Sequence, residues 1–238
     1  MSRLFILSFF ICLTQCQPAK PPPNETLAQS YTRKLKVLHQ LPEAERPNDW
    51  RASHPEVRQT FEAYQEMPPT SLTAERKYIY ITTLGEFSAP EKYLIRSMKE
   101  YLNDFFQLPV RLLPLSDSIQ IPEKYRRINK HTQEEQVLST YLLRRILTPN
   151  LPDSAAVFVA FTTWDLYPSK NWNYVFGQAD LRARTGVWSL ARLGEGKLLR
   201  DRTFKTAAHE IGHIFSIRHC QDFACVMAGS NNRPELDR

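Results

Sequence analysis

Cysteine is scarce: the chain has four in 238 residues, at Cys12, Cys16, Cys220 and Cys225. Two of them fall in the first sixteen residues, so no disulfide scaffold is being built in the folded part. Long apolar runs are also missing. The longest spans residues 4–13, about ten residues against the roughly 20 that a membrane-crossing helix needs. Charge of one sign is not concentrated either. The net charge is only +6, and no stretch interleaves Lys and Arg with stacking aromatics, which excludes a nucleic-acid groove. No internal repeat and no low-complexity block divides the chain, and 42% hydrophobic residues suffice for one core. One domain behind an N-terminal leader is the expectation.

The short apolar run follows Arg3 and has the length and flanks of a secretory leader. Leu13, Thr14, Gln15 and Cys16 resemble a bacterial lipobox, with Gln15 where a small residue is usual. Cys16 is therefore a candidate lipidation site, the alternative being an ordinary leader that is removed. A Pro-rich stretch over residues 17–24 suits a tether holding a domain off a membrane. The expected organisation is a leader over residues 1–16, a tether with peripheral helices over 17–71, and an exported domain over 72–238, in the cell envelope or outside it.

Weak helical patterns cover residues 32–40 and 57–65. Residues 77–84 then alternate Tyr, Ile and Thr as a strand does. Ser88 and Pro90 open a helix whose apolar residues Leu94, Met98, Leu102 and Phe106 recur at helical spacing. A second strand is expected over 110–115. Thr132, with Glu135 three residues later, reads as a capping box opening a helix through Leu147. The continuous apolar run over 155–162 suggests a central strand covered on both faces. Strands are also expected over 174–179 and 186–192, and a last helix from Asp201 or Thr203 to about Phe215. This alternation predicts an α/β domain with a mixed sheet and one antiparallel edge strand.

In that last helix His209, Glu210 and His213 form an HExxH pattern. Residues four apart share a helix face, so both imidazoles reach one ion, while Glu210 turns toward the space beside it. His219 lies six residues beyond His213 and would sit about 9 Å further along the axis of a continued helix. A zinc–nitrogen bond is only about 2.0–2.1 Å long, so the chain must leave the helix and fold back for His219 to join. Sequences of this kind place Gly midway to take a left-handed conformation, and here Ser216 stands there. The strain, about 1–2 kcal/mol, is small beside the free energy of coordinating zinc.

Cys220, Cys225 and Met227 follow directly. The segment from His209 to Met227 resembles the archaemetzincin signature, in which HExxHxxGxxH runs into Cys, four spacers, Cys, one spacer and Met. Upstream, Asp165, Leu166, Tyr174 to Gly177, Ala179 and Ser189 to Arg192 look like that family's sheet segments, so the resemblance covers residues 77–227. It implies a metzincin-like α/β domain with an active-site helix and a short C-terminal Met-turn segment. It also implies His209, His213 and His219 as ligands of one catalytic zinc, Glu210 as general base, and Met227 as the residue of the Met-turn beneath the metal. The family pattern continues to a distal CxxC completing a second, structural zinc site, which this sequence does not contain. Cys220 and Cys225 alone do not make a four-ligand site, leaving a disulfide, free thiols or a missing C-terminal piece as their readings.

Three imidazoles leave the fourth zinc position for a water with a pKa near 7, whose proton Glu210 accepts before hydrolysis of a peptide or protein substrate. The strand over 174–179 is the expected edge on which an extended peptide docks, with Tyr174 and Phe176 as core or edge residues. A rival reading from another class is an inactive exported module using the same histidines to hold zinc or shape a partner surface. Ser216 and the missing Cys pair favour it, and an intact Glu210 opposes it. A two-His-plus-acid site with Glu235 in place of His219 ranks last. No specificity pocket and no oligomeric state is legible in the sequence.

Overall fold

A computed structural model describes Ser30, Leu41, Pro42 and residues 46–67, 70–115 and 119–238. The leader with Cys16, the Pro-rich stretch and the expected helix over 32–40 lie outside the described residues.

Two short helices, α1 (Trp50–Ser53) and α2 (Phe61–Glu66), come first. Helix α2 starts later than the pattern over 57–65 suggests. Thr60 caps it, its side chain accepting from the Ala63 amide, which fixes the boundary there.

Strand β1 (Tyr78–Leu84) is followed by α3 (Ala89–Phe106). At the α3 start the Ser88 amide donates to the Glu91 carboxylate at 2.7 Å and the Ser88 hydroxyl accepts from the Glu91 amide at 3.5 Å. This is the reciprocal cap expected of Ser88. Strand β2 (Val110–Leu112) lies parallel to β1.

The chain then departs from expectation. Thr132 does not cap a helix. Strands β3 (Arg126–Ile128) and β4 (Glu135–Leu138) form an antiparallel hairpin, and Thr132 sits in its turn. Asn129 holds that turn, its side-chain oxygen accepting from the amides of His131 and Thr132, while Gln133 takes a positive φ of 59°. Arg126 spans Glu135 across the hairpin at 3.1 Å to both carboxylate oxygens, and fully buried Gln136 donates to Asp165 at 2.8 Å. Pairing with distant partners overrides the local cap signal here. Helix begins only at α4 (Ser139–Tyr141), which runs on as a π-helical stretch, Leu142–Leu147.

Strand β5 (Ala155–Thr162) is wholly buried and lies between β1 and a later strand, as its continuous apolar run predicts. Strands β6 (Asp165–Tyr167), β7 (Gly177–Asp180) and β8 (Thr185–Ser189) follow. The main sheet has the order β2-β1-β5-β8-β7, parallel except for β7, the antiparallel edge. A smaller sheet runs β3-β4-β6. The strand expected over 174–179 is shorter because Val175 bridges to Leu166 of β6, so residues 174–176 pass between the two sheets. The one expected over 186–192 ends at Ser189, whose hydroxyl donates to the Trp164 carbonyl and accepts from the Ala191 amide, turning the chain.

Helix α5 (Gly196–Ile214) packs with α3 on one face of the main sheet, around Met98, Val159, Trp188, Ala207 and Ile211. Leu142, Leu147, Phe158 and Leu166 form a second cluster. The helix starts earlier than Asp201. Positive φ values at Gly194 and Gly196 swing the chain into it, and Asp201 pairs with Lys197 one turn earlier rather than capping. A last turn of helix, α6 (Arg233–Leu236), is tied down by Arg202, which spans Asp237 at 2.6 and 2.7 Å.

The end of α5 decides where the next residues go. Ser216 has φ of 68°, its amide bonds to the His213 carbonyl at 2.8 Å, and the Ile217 amide reaches the Gly212 carbonyl at 3.0 Å. This pair of bonds is the Schellman termination, with Ser216 in the left-handed position that Gly usually holds. Ser216→Gly relieves the Cβ strain and loses part of the gain to the entropy of the unfolded chain. We expect about 0.5–1 kcal/mol of added stability, a rise of roughly 1–4 °C in the thermal unfolding midpoint. A lowered midpoint in calorimetry would contradict the assignment of strain to this residue.

Candidate metal centre

The Ser216 turn reverses the chain and returns His219 to the face of α5 that carries His209 and His213. Ligand atoms of the three histidines all lie within 4.8 Å of one another, and they are the sole such group of three or more among the described residues. Each ring is held through Nδ1. His209 Nδ1 is 2.8 Å from the Val226 carbonyl, and His213 Nδ1 is 2.7 Å from the Ile217 carbonyl. His219 Nδ1 is 2.8 and 2.9 Å from the two carboxylate oxygens of Glu56. Carbonyls and carboxylates accept, so Nδ1 carries a proton in each ring and Nε2 faces inward.

His213 Nε2 and His219 Nε2 are 3.2 Å apart. A tetrahedral zinc with bonds of about 2.0–2.1 Å sets its ligand atoms roughly 3.3–3.4 Å apart, so the donor set fits that ion in chemistry and spacing. Burial reinforces the fit. It pushes His209 down to about 3, helped by the neighbouring His213, and lowers His213 as well, so both rings stay neutral and ready to coordinate at pH 7.

Glu210 is buried beside this cluster, and desolvation raises its pKa to about 8. The edge strand β7 passes directly over it. A Cβ on Gly177 would lie 2.8 Å from Glu210 Oε1, so glycine there is what lets strand and carboxyl approach. Beneath the helix, Met227 is buried against Gly212, where a Cβ would come within 2.5 Å of the Met227 sulfur. Met227 thus supports the helix turn between Glu210 and His213.

Cys220 and Cys225 are both free thiols. A hydrogen bond from Cys225 lowers Cys220 to about 6, and the same bond raises Cys225. The backbone between them closes the turn, with the Cys220 amide on the Met227 carbonyl at 2.8 Å. Glu235 is not a ligand. Its two oxygens accept from the amides of Trp50 and Asn231, both at 2.7 Å. Tyr174 lines the cleft, but its hydroxyl donates to the Asn231 carbonyl at 3.0 Å, and Arg192 stacks on its ring. Asp165 is buried in a double hydrogen bond with Arg192 at 2.6 and 2.7 Å, which ties β6 to the loop after β8.

Residues that the sequence reading passed over also reach the site. Besides Glu56, Gln59 grips the turn that carries His219, donating to the Ser216 carbonyl and accepting from the Arg218 amide, both at 2.9 Å. Trp50 stands edge-on to His219 at 5.0 Å and forms part of the wall of a cleft of about 760 Å³ that contains the three histidines and Glu210. No spacing rule connects residues 50–59 to a motif about 160 positions away, so only the fold reveals them.

Residues 79–238 match the family model of peptidase family M54. Archaemetzincin-2 of Mus musculus is 35% identical over 231 residues, covering 80% of this chain and 63% of that protein. The chain therefore spans less than two thirds of the length of that relative. The archaemetzincin of Archaeoglobus fulgidus is 35% identical over 163 residues, 67% of this chain and 89% of that protein. The crystal structure of the same Archaeoglobus protein, complexed with malonate, superposes with a TM-score of 0.54, covering 68% of this chain and 91% of that one at 33% identity. That of the Methanopyrus kandleri archaemetzincin gives 0.56, covering 69% and 87% at 25% identity.

Two outcomes follow from this geometry. In Gly177→Ala the new methyl displaces the flexible Glu210 carboxyl rather than the strand. On the proposal that Glu210 is a catalytic base, peptide hydrolysis should fall by about 100-fold with little change in unfolding temperature. Normal turnover in that variant would show that Glu210 needs no close approach by β7. In the zinc-free protein, Glu210 is protonated in both states below about pH 4.5, the ordinary value of a glutamate. As pH rises toward about 8 only the unfolded chain releases the proton, so stability falls across that window. The slope should flatten in Glu210→Gln, by an amount on the order of a few kcal/mol at pH 8, read from denaturant unfolding at several pH values.

Proposed function

The chain belongs to peptidase family M54, the archaemetzincin family, and we propose that it is a zinc-dependent peptidase in which Glu210 is the general base. One observation carries this reading: three imidazoles, each locked through Nδ1, converge their free nitrogens beside a buried carboxyl that lies under an open sheet edge. An inert zinc module has no use for that carboxyl.

When bound, the zinc supplies Lewis acidity at the scissile carbonyl and acidifies a water toward a pKa of about 7. His209, His213 and His219 would hold the ion on the wall of the cleft. Glu210 takes the proton of the attacking water on its carboxylate and later passes it to the leaving amine nitrogen. Its environment suits both steps. Burial raises its pKa to about 8, and a bound cation alongside would lower it, toward a value at which the carboxyl can both accept and return a proton. Among the described residues, strand β7 is paired on one side only, with β8, and its other edge offers main-chain groups to an extended peptide. A peptide added there would run past Gly177 and so alongside Glu210.

As part of the same reading, the leader-like run over residues 4–13 and the lipobox-like Leu13 to Cys16 support an exported protein attached to a membrane through Cys16.

Glu210→Gln keeps the size of the side chain and removes the base. We expect it to retain one zinc by atomic emission and to lose on the order of 10²–10⁴ in kcat on a peptide library. Chelation of the wild type should abolish hydrolysis, and zinc should restore it. Full activity in a zinc-loaded Glu210→Gln variant would end this assignment.

A further inference from the structure

His209 and His213 are oriented by backbone carbonyls, which are dipoles. His219 alone is oriented by a full negative charge, that of Glu56, and Glu56 lies 163 positions earlier in the chain. A surface ion pair of chance origin would leave such a carboxylate free to turn. This one is held from several directions. Trp50 Nε1 donates to Glu56 Oε1 at 3.1 Å, and Gln221 Nε2 reaches Oε2 at 3.5 Å. The segment that carries it is pinned on both sides. Before it, the Trp50 amide bonds to Glu235, and the Trp50 ring lies so close over Gly229 that a Cβ there would come within 2.4 Å of it. After it, Gln59 grips both the Ser216 carbonyl and the Arg218 amide. The His219 side chain is only 15% exposed and that of Glu56 31%, so solvent does not freely replace either partner.

We propose that Glu56 is a positioning residue of the metal centre, supplied by the segment that precedes the catalytic sheet. The proposal rests on the zinc reading given above. A carboxylate on Nδ1–H fixes the tautomer and the plane of the ring and makes Nε2 the stronger donor, so it acts on metal affinity before it acts on catalysis. His219 needs such help more than its companions do. The other two ligands are carried by α5 itself, whereas His219 rides on a loop leaving the strained Ser216 turn. The clamp formed by Glu56 and Gln59 supplies the rigidity that helix hydrogen bonds give to His209 and His213.

The test compares the full chain with its Glu56→Ala and Glu56→Gln variants, measuring zinc affinity by competition with a chromophoric chelator and the visible spectrum of the cobalt-substituted proteins. Glu56→Ala should bind zinc about 10–100-fold more weakly and show an altered cobalt spectrum. Glu56→Gln keeps an acceptor oxygen without the charge, so it should recover the spectrum while regaining only part of the affinity. The unfolding temperature of the zinc-free proteins should be the same in all three. Wild-type zinc affinity in Glu56→Ala overturns the proposal. So does a loss of affinity matched by an equal loss of stability in the zinc-free protein, because that marks Glu56 as a structural contact only. A wild-type chain that takes up no zinc overturns the metal centre itself, and with it this role.

Discussion

A helix carries its residues forward by about 1.5 Å each, so two imidazoles on one face are easy to supply and a third six residues later is not. The left-handed residue at Ser216 resolves this. It ends α5 with two hydrogen bonds back to the carbonyls of His213 and Gly212, and it turns the following chain toward the ring nitrogens it has just left. The strain at one Ser, about 1–2 kcal/mol, is minor against coordination that is worth several times as much. The termination also uses the site's own residues. The Ile217 carbonyl on the far side of the turn accepts from His213 Nδ1, so the bend that delivers His219 also orients His213.

The remaining ring contacts spread the centre across the fold. His209 is set by Val226, in the segment that ends at Met227, and His219 by Glu56. Glu210 depends on Gly177 of the edge strand, and the helix turn beneath it depends on the contact of Gly212 with Met227. Two glycines thus allow close approaches on opposite sides of one helix, a strand above and a sulfur below. A site whose every member is fixed by a different segment exists only once those segments have docked. Folding and metal-site assembly are in this sense one event.

Much of this was legible in residue order. The wholly apolar run over 155–162 gave the central strand, the Ser88 cap gave the start of α3, and HExxH with His219 and Ser216 gave the ligands and the turn between them. Those signals are local, or repeat at a fixed spacing. Thr132 misled because its cap pattern is equally local, while the competing pairs that decide the outcome, Arg126 with Glu135 and Gln136 with Asp165, gain meaning only when the strands meet. Glu56 and Gln59 were illegible for the same reason. A single carboxylate in a charged stretch carries no mark of the imidazole that it will face across the fold, and periodicity has nothing to say about an extended segment that docks by side-chain hydrogen bonds.

Charge balance ties the long-range partners to the local motif. Burying the Glu210 carboxyl with no cation nearby pushes its pKa to about 8, so on its own it prefers to keep a proton and cannot act as a base. Three neutral imidazoles do nothing to correct this. A dication held by them would, and it would bring two positive charges into a site that presents two carboxyl groups, Glu210 beside the histidines and Glu56 behind His219. The two acids divide the work by depth. Glu210 is buried beside the histidine cluster under β7, whereas Glu56, partly exposed and held by Trp50, meets the ring of His219 from behind.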